Sequence, residues 1–196
     1  MRSPFPLGFV LLGLLALPLP ADPGGFLDKL LPRPRSESAN RFADSQIPTP
    51  EVYFSPRGGC TEAVVGALAD ARKTVLVQAY SFTSAPIAAA LAAASRRGVR
   101  VEAVLDKSNK SGKYSVADFL LNSRIPIWID DRHAIAHNKV IIIDTSTVLT
   151  GSFNFTKAAE ESNAENLLIL RSPPLAARYT SNFLEHREHS TPYSGR

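Results

Sequence analysis

Cysteine, tryptophan and methionine each occur once in these 196 residues, and aromatic residues make up only 8%. With Cys60 alone, no intramolecular disulfide can form, so the fold has to be held by an apolar core rather than by cross-links. No internal repeat is visible. The apolar stretch Phe9 to Leu17, closed by Pro18 and Pro20, falls short of the roughly 20 residues that a spanning helix requires. Neither sign of charge dominates: the formal balance is +4. Such a modest basic excess fits a polyanion or an anionic surface as partner, and fits many other proteins equally. The length suffices for one domain with a real core and not comfortably for two.

What is present divides the chain in order. Arg2, the apolar run and a small-residue ending at Ala21 have the layout of a secretory signal peptide, which predicts export and cleavage near Ala21, to a periplasmic or secreted destination. Residues 22–50 are rich in Pro, Gly, Ser and Asp and read as a flexible linker. From Glu51, strand and helix patterns alternate. A strand at 51–54 precedes a helix capped by Thr61, and a strand at 74–80 precedes a helix capped by Ser84 and stopped at Arg96-Arg97-Gly98. A third strand covers 99–105. This alternation predicts an α/β/α sandwich around a mixed, largely parallel sheet, with the domain spanning 51–189 and a frayed tail at 190–196. Lys107, Lys110 and Lys113 occupy a polar loop after the third strand, at the end where α/β folds place ligands. They are candidate phosphate contacts, although a solvated turn accounts for them as well.

The chemistry concentrates between His133 and Asn166. Val140 to Ile143 is an unbroken β-branched run, the pattern of a strand buried on both faces. Side chains alternate along a strand, so His137 and Lys139 share a face. Asp144, an odd offset from His137, points away and reads as a supporting group at the strand's end. Beyond a turn, Ser152 and Asn154 share a face opposite Phe153 and Phe155; a helix at 156–162 and a strand at 167–170 follow, with Glu165 and Asn166 at the opening. His133 and His137 would stand about 13 Å apart along a strand, too far to share a metal ion. His186 and His189 read as exposed residues at a helix end.

His137-x-Lys139-x4-Asp144, followed by Gly151-Ser152-Phe153-Asn154-Phe155 and Asn163-Ala164-Glu165-Asn166, resembles the HKD signature of the phospholipase D superfamily, in particular its small single-motif, Nuc-like endonuclease branch. The resemblance runs from about Val52 to Leu184. It implies a phosphodiesterase in which His137 attacks phosphorus to give a phosphohistidine, while the same residue of a second subunit protonates the leaving oxygen. It further implies that Lys139 and Asn154 hold the non-bridging oxygens, that Ser152 donates beside them, and that Glu165 orients the imidazole through Nδ1. Asp144 is the third signature residue and is kept as an organising member of the catalytic set. One motif per chain implies a homodimer with the site on its two-fold axis. With Lys139 in the place of a divalent ion, neither cofactor nor metal is expected. The resemblance leaves the substrate between nucleic acid and phospholipid; a non-catalytic nucleic-acid-binding module is a third reading, disfavoured by the intact motif.

Overall fold

The computed structural model describes residues 49–196. The expected signal peptide, and the linker apart from its last two residues, lie outside the described residues. One eight-stranded sheet runs through the domain in the order β1-β7-β6-β5-β2-β3-β4-β8. In chain order the elements are β1 (Glu51–Ser55), α1 (Cys60–Asp70), β2 (Thr74–Ala79), α2 (Ala85–Arg96), β3 (Arg100–Asp106), α3 (Ser108–Ser111), α4 (Ala117–Asn122), β4 (Ile127–Asp130), β5 (Lys139–Ile143), β6 (Thr147–Gly151), α5 (Lys157–Glu161), β7 (Glu165–Arg171), α6 (Pro173–His189) and β8 (Thr191–Pro192).

The sandwich follows from the alternation of side chains. Ile141 and Ile143 join Val75, Val77, Val101 and Ala103 in the larger core, beneath Val64 and Leu68 of α1, Ile87 and Leu91 of α2, and Leu120 of α4. Val140 and Ile142 face the other way, joining Leu76, Val104 and Val148 under Ala176 and Phe183 of α6. Every residue of β5 is buried, as its β-branched run requires.

The sheet is mixed, as expected, but it is not largely parallel. Only β2–β3 and β3–β4 pair parallel, and the other five pairings are antiparallel. β1 lies at the far edge of the sheet and pairs with β7. A tight turn then makes β5 and β6 antiparallel, and β7 returns antiparallel to β6 after the connection that holds α5. Two further expectations are corrected. Gly59 rather than Thr61 precedes α1, and the first turn is capped from a distance: the Glu160 carboxylate accepts from Gly59 N (3.2 Å) and Thr61 N (2.7 Å). The tail is not frayed but forms β8 against β4, and Tyr193 donates through its hydroxyl to Asp118 (2.7 Å).

The β5–β6 hairpin turns through Asp144 (φ 51°) and Thr145 (φ 57°), both left-handed as a type I′ turn demands. A β-branched residue there is costly, and Asp144 offsets the cost. Its carboxylate accepts from the backbone N–H groups of Arg72 (2.8 Å), Lys73 (2.7 Å) and Thr74 (2.9 Å), tying the turn to the start of β2. Burial pushes this carboxyl upward, but the three N–H donors outweigh it and hold it below the ordinary carboxylate range.

Asp144→Asn keeps the shape and tolerates the left-handed region while removing the charge from three hydrogen bonds. The expected loss is about 1–3 kcal/mol, read as a fall of several degrees in Tm. Because the folded carboxyl titrates below its unfolded value, its contribution is complete above an unfolded pKa of about 4 and is lost as pH falls through the folded value. The Tm gap between wild type and Asp144→Asn should therefore close in acid; a gap independent of pH would refute the role of the charge.

Candidate functional site

β1, β2, β3, β4 and β6 end, and β5 and β7 begin, at one edge of the sheet. There the sheet stops supplying backbone partners and polar side chains emerge. Tyr80 N, just past β2, donates to Asn138 O (2.8 Å) and so carries the pairing of β2 with β5 one step further. Asp106, buried at the end of β3, accepts from Ser108 N (2.9 Å) and from Ala136 N (2.8 Å), which fixes the segment entering His137. His137 is thus held by backbone on both sides although it lies outside the strand.

The Lys139 ammonium stands 3.0 Å from His137 Nδ1 and donates to His137 O at 2.8 Å. The shared face expected from the spacing is therefore realised as direct contact. Lys139 is buried while His137 is exposed, so the ammonium sits behind the imidazole rather than beside it in solvent. Burial lowers the Lys139 pKa, opposed by attraction to the Glu165 carboxylate. Towards a charged ammonium Nδ1 can only accept, which leaves the proton of a neutral imidazole on Nε2. The expected hydrogen bond from Nδ1 to Glu165 is accordingly not made; Glu165 accepts from Asn163 Nδ2 at 3.1 Å.

Ser152 and Asn154 follow β6 at the same edge. Ser152 Oγ accepts from Asn166 N (3.0 Å) and Asn166 Nδ2 (3.3 Å), leaving its own hydrogen to be donated elsewhere. Gly151 permits this arrangement, since a Cβ there would stand 2.2 Å from Asn166 O. Asn154 Oδ1 is buried without a hydrogen-bond partner, so its amide is free to turn onto a ligand. Asp144 is not part of this group: β5 is straight, and five residues of strand, about 16 Å, separate it from Lys139. Lys107, Lys110 and Lys113 are exposed on the connection leaving β3, at the same edge; Lys107 Nζ donates to His133 O at 3.2 Å.

Tyr80 completes the site and was not singled out from the sequence. Its ring lies 4.5 Å from the His137 ring, and Lys139 Nζ sits 5.0 Å from its centroid. Asn109, buried within α3, donates to Tyr80 O (2.5 Å) and to Asp106 O (3.1 Å) and fixes this platform. The one available signal was an aromatic residue closing a buried strand at the ligand edge. Tyr80 also lines a cleft of roughly 320 Å³ with Ser108, Lys113, Tyr114 and Ser115. Among the described residues, one set suits a metal ion: Asp130, His133, His186 and His189. His186 and His189 are therefore not the free helix-end residues expected, because Asp130 draws both inward.

Taken together, an imidazole, a partly dehydrated ammonium, a hydroxyl, an unanchored amide and a carboxylate suit attack on an anionic centre with charge compensation, as phosphoryl transfer requires. Tyr80→Leu removes the aromatic face from both cation and imidazole. The expected result is a fall of about 2- to 30-fold in kcat on a phosphodiester with Tm little changed, whereas Tyr80→Phe should retain activity. Equal loss in both variants would show that the hydroxyl, not the ring, is what matters.

Comparison with known proteins agrees with this chemistry. A family model described as "Cardiolipin synthase, PLD-like domain" matches residues 64–187. A phospholipase D of Rickettsia bellii is 38% identical over 163 residues, covering 76% of this chain and 81% of its own. The mitochondrial cardiolipin hydrolase of Xenopus laevis is 30% identical over 116 residues, covering 59% of this chain and 55% of its own. The crystal structure of Nuc from Salmonella typhimurium, a phospholipase D family member, superposes with a TM-score of 0.72 at 39% identity, covering 75% of this chain and 99% of that one. NucT from Helicobacter pylori follows at 0.67 and 25% identity, covering 74% and 98%. With His137 and Lys139 of the HKD signature at the sheet edge and the family model spanning most of the domain, this chain belongs to the phospholipase D superfamily, as a phosphodiesterase hydrolase carrying one motif.

Proposed function

We propose that this phosphodiesterase is an endonuclease of low sequence specificity that cleaves DNA or RNA through a phosphohistidine on His137, without a catalytic metal. The observation that carries the choice of substrate is the cleft beside Tyr80. Lys113 Nζ lies 5.3 Å from the centroid of the Tyr114 ring, which is 73% exposed, and both line this cleft. A basic group on an open aromatic face suits a phosphate and its base, because stacking tolerates any sequence. Lys107 and Lys110 extend the positive charge along the same connection.

In this reading, Nε2 of one His137 attacks phosphorus and forms the P–N bond. The leaving oxygen departs with the Nε2 proton of His137 in a second copy of the chain. That imidazole, now neutral, takes a proton from water, whose oxygen displaces the first histidine. The attacking imidazole needs Nδ1–H directed at Glu165. The acid starts as an imidazolium, protonated on both nitrogens, so its Nδ1–H has to turn from the Lys139 ammonium that Nδ1 faces here to an acceptor such as Glu165. Lys139, Asn154 and Ser152 would compensate charge on the non-bridging oxygens. One motif histidine per chain makes a homodimer part of the proposal, and the exposed apolar side chains Phe54 and Ile135 at the site edge offer contact surface. Export directed by residues 1–21, with cleavage near Ala21, belongs to the same proposal.

A phospholipid substrate is the second reading, supported by the relatives named phospholipase D and cardiolipin hydrolase. Incubation with plasmid DNA, single-stranded RNA and phosphatidylcholine vesicles in chelator separates the two. Nucleic acid should be cut without release of choline, and His137→Ala should lose about a thousandfold or more. Choline release with intact nucleic acid would overturn the nuclease reading, and retained cleavage by His137→Ala would remove the nucleophile. Light scattering should give twice the chain mass; a monomer with full activity would rule out the shared site.

A further inference from the structure

Three of the chain's four histidines play no part in the site above, yet they converge on one carboxylate. Asp130 ends β4 and is completely buried. Its Oδ2 lies 3.0 Å from His133 Nδ1, 2.8 Å from His186 Nδ1 and 3.4 Å from His189 Nε2. His133 Nδ1 also lies 3.1 Å from Oδ1, so three imidazoles crowd one carboxylate and Oδ2 is common to them all. Their rings are packed 4.9 to 5.3 Å apart, centroid to centroid, a crowding that three protonated rings would resist.

We infer that Asp130, His133, His186 and His189 form a structural zinc site. Bond lengths near 2.0–2.1 Å place tetrahedral zinc ligands about 3.3 Å apart, and the measured separations from Oδ2 lie close to that value. All four ligand atoms fall within 4.8 Å of one another, so the widest pair has to close by at most about 1.5 Å. The rings can supply this: the His133 side chain is 46% exposed and that of His189 20%. Asp130 Oδ1 accepts from His133 N at 3.3 Å, an outer contact that turns Oδ2 towards the rings. Three imidazole nitrogens and one oxygen suit zinc, whereas magnesium and calcium seek six or more oxygens. Four protein ligands close the coordination sphere, which makes the role structural rather than catalytic. The ion would clamp the end of α6 to the β4–β5 connection, four residues before His137, whichever substrate the enzyme takes.

The test uses the untagged full chain after treatment with chelator, with Co2+ and Zn2+ titrated separately. One equivalent of Co2+ should give the intense visible bands of a tetrahedral site, zinc should displace it, and Zn2+ but not Mg2+ should raise Tm. His133→Asn and His189→Gln, both at partly exposed positions, should lose the bands and the Tm shift while retaining the circular dichroism of the fold. His137→Ala should bind as wild type does. Weak octahedral cobalt spectra, or binding untouched by His133→Asn and His189→Gln but lost in His137→Ala, would overturn the assignment. The cluster would then be a hydrogen-bonded knot around Asp130.

Discussion

A strand buried on both faces has nowhere to put a charge except at its ends. β5 meets this constraint with four aliphatic residues between Lys139 and Asp144, and the two ends take opposite duties. At one end the ammonium is drawn partly out of water, against the imidazole it serves. At the other, the carboxylate binds three backbone N–H groups and holds a left-handed turn. The helices pack against the two faces of the strand and not against its ends, so β5 stays apolar between its ends while the chemistry stays at the rim.

The same constraint decides how much of the molecule was legible in the sequence. Periodicity reports which face a side chain takes, so the contact of Lys139 with His137 and the inward packing of Phe153 and Phe155 could be read in advance. Periodicity does not report which strand lies alongside. That is why the place of β1 at the far edge could not be read, and why the share of parallel pairing was overestimated. Residues acting across long separations were equally hidden. Glu160 capping α1, Tyr80 against His137 and Lys139, and His186 turned onto Asp130 are all products of tertiary proximity without local pattern.

Asp144 illustrates the difference between a signature and a site. It keeps a fixed distance in sequence from His137, yet the intervening strand carries it to the opposite end of the sheet. Its place in the motif is intelligible as a requirement of the strand that presents His137 and Lys139. A pattern of spaced residues therefore mixes groups that touch substrate with groups that keep the presenting element in register, and only the geometry separates them.

The pairing of β1 with β7 has a consequence for synthesis. Ser55 hydrogen-bonds Asn163 O across 108 positions, and β8, from the last residues, closes the opposite edge. Contacts so remote in sequence carry a large loop-closure cost and come late in folding. Strands β2 and β3 can pair as soon as both are made, but the margins of the sheet stay open until β7 and β8 have been added. His137 and Lys139 are thus made before the strand that carries Glu165, and the polar edge they share with it is assembled only once β7 has joined β1 and β6.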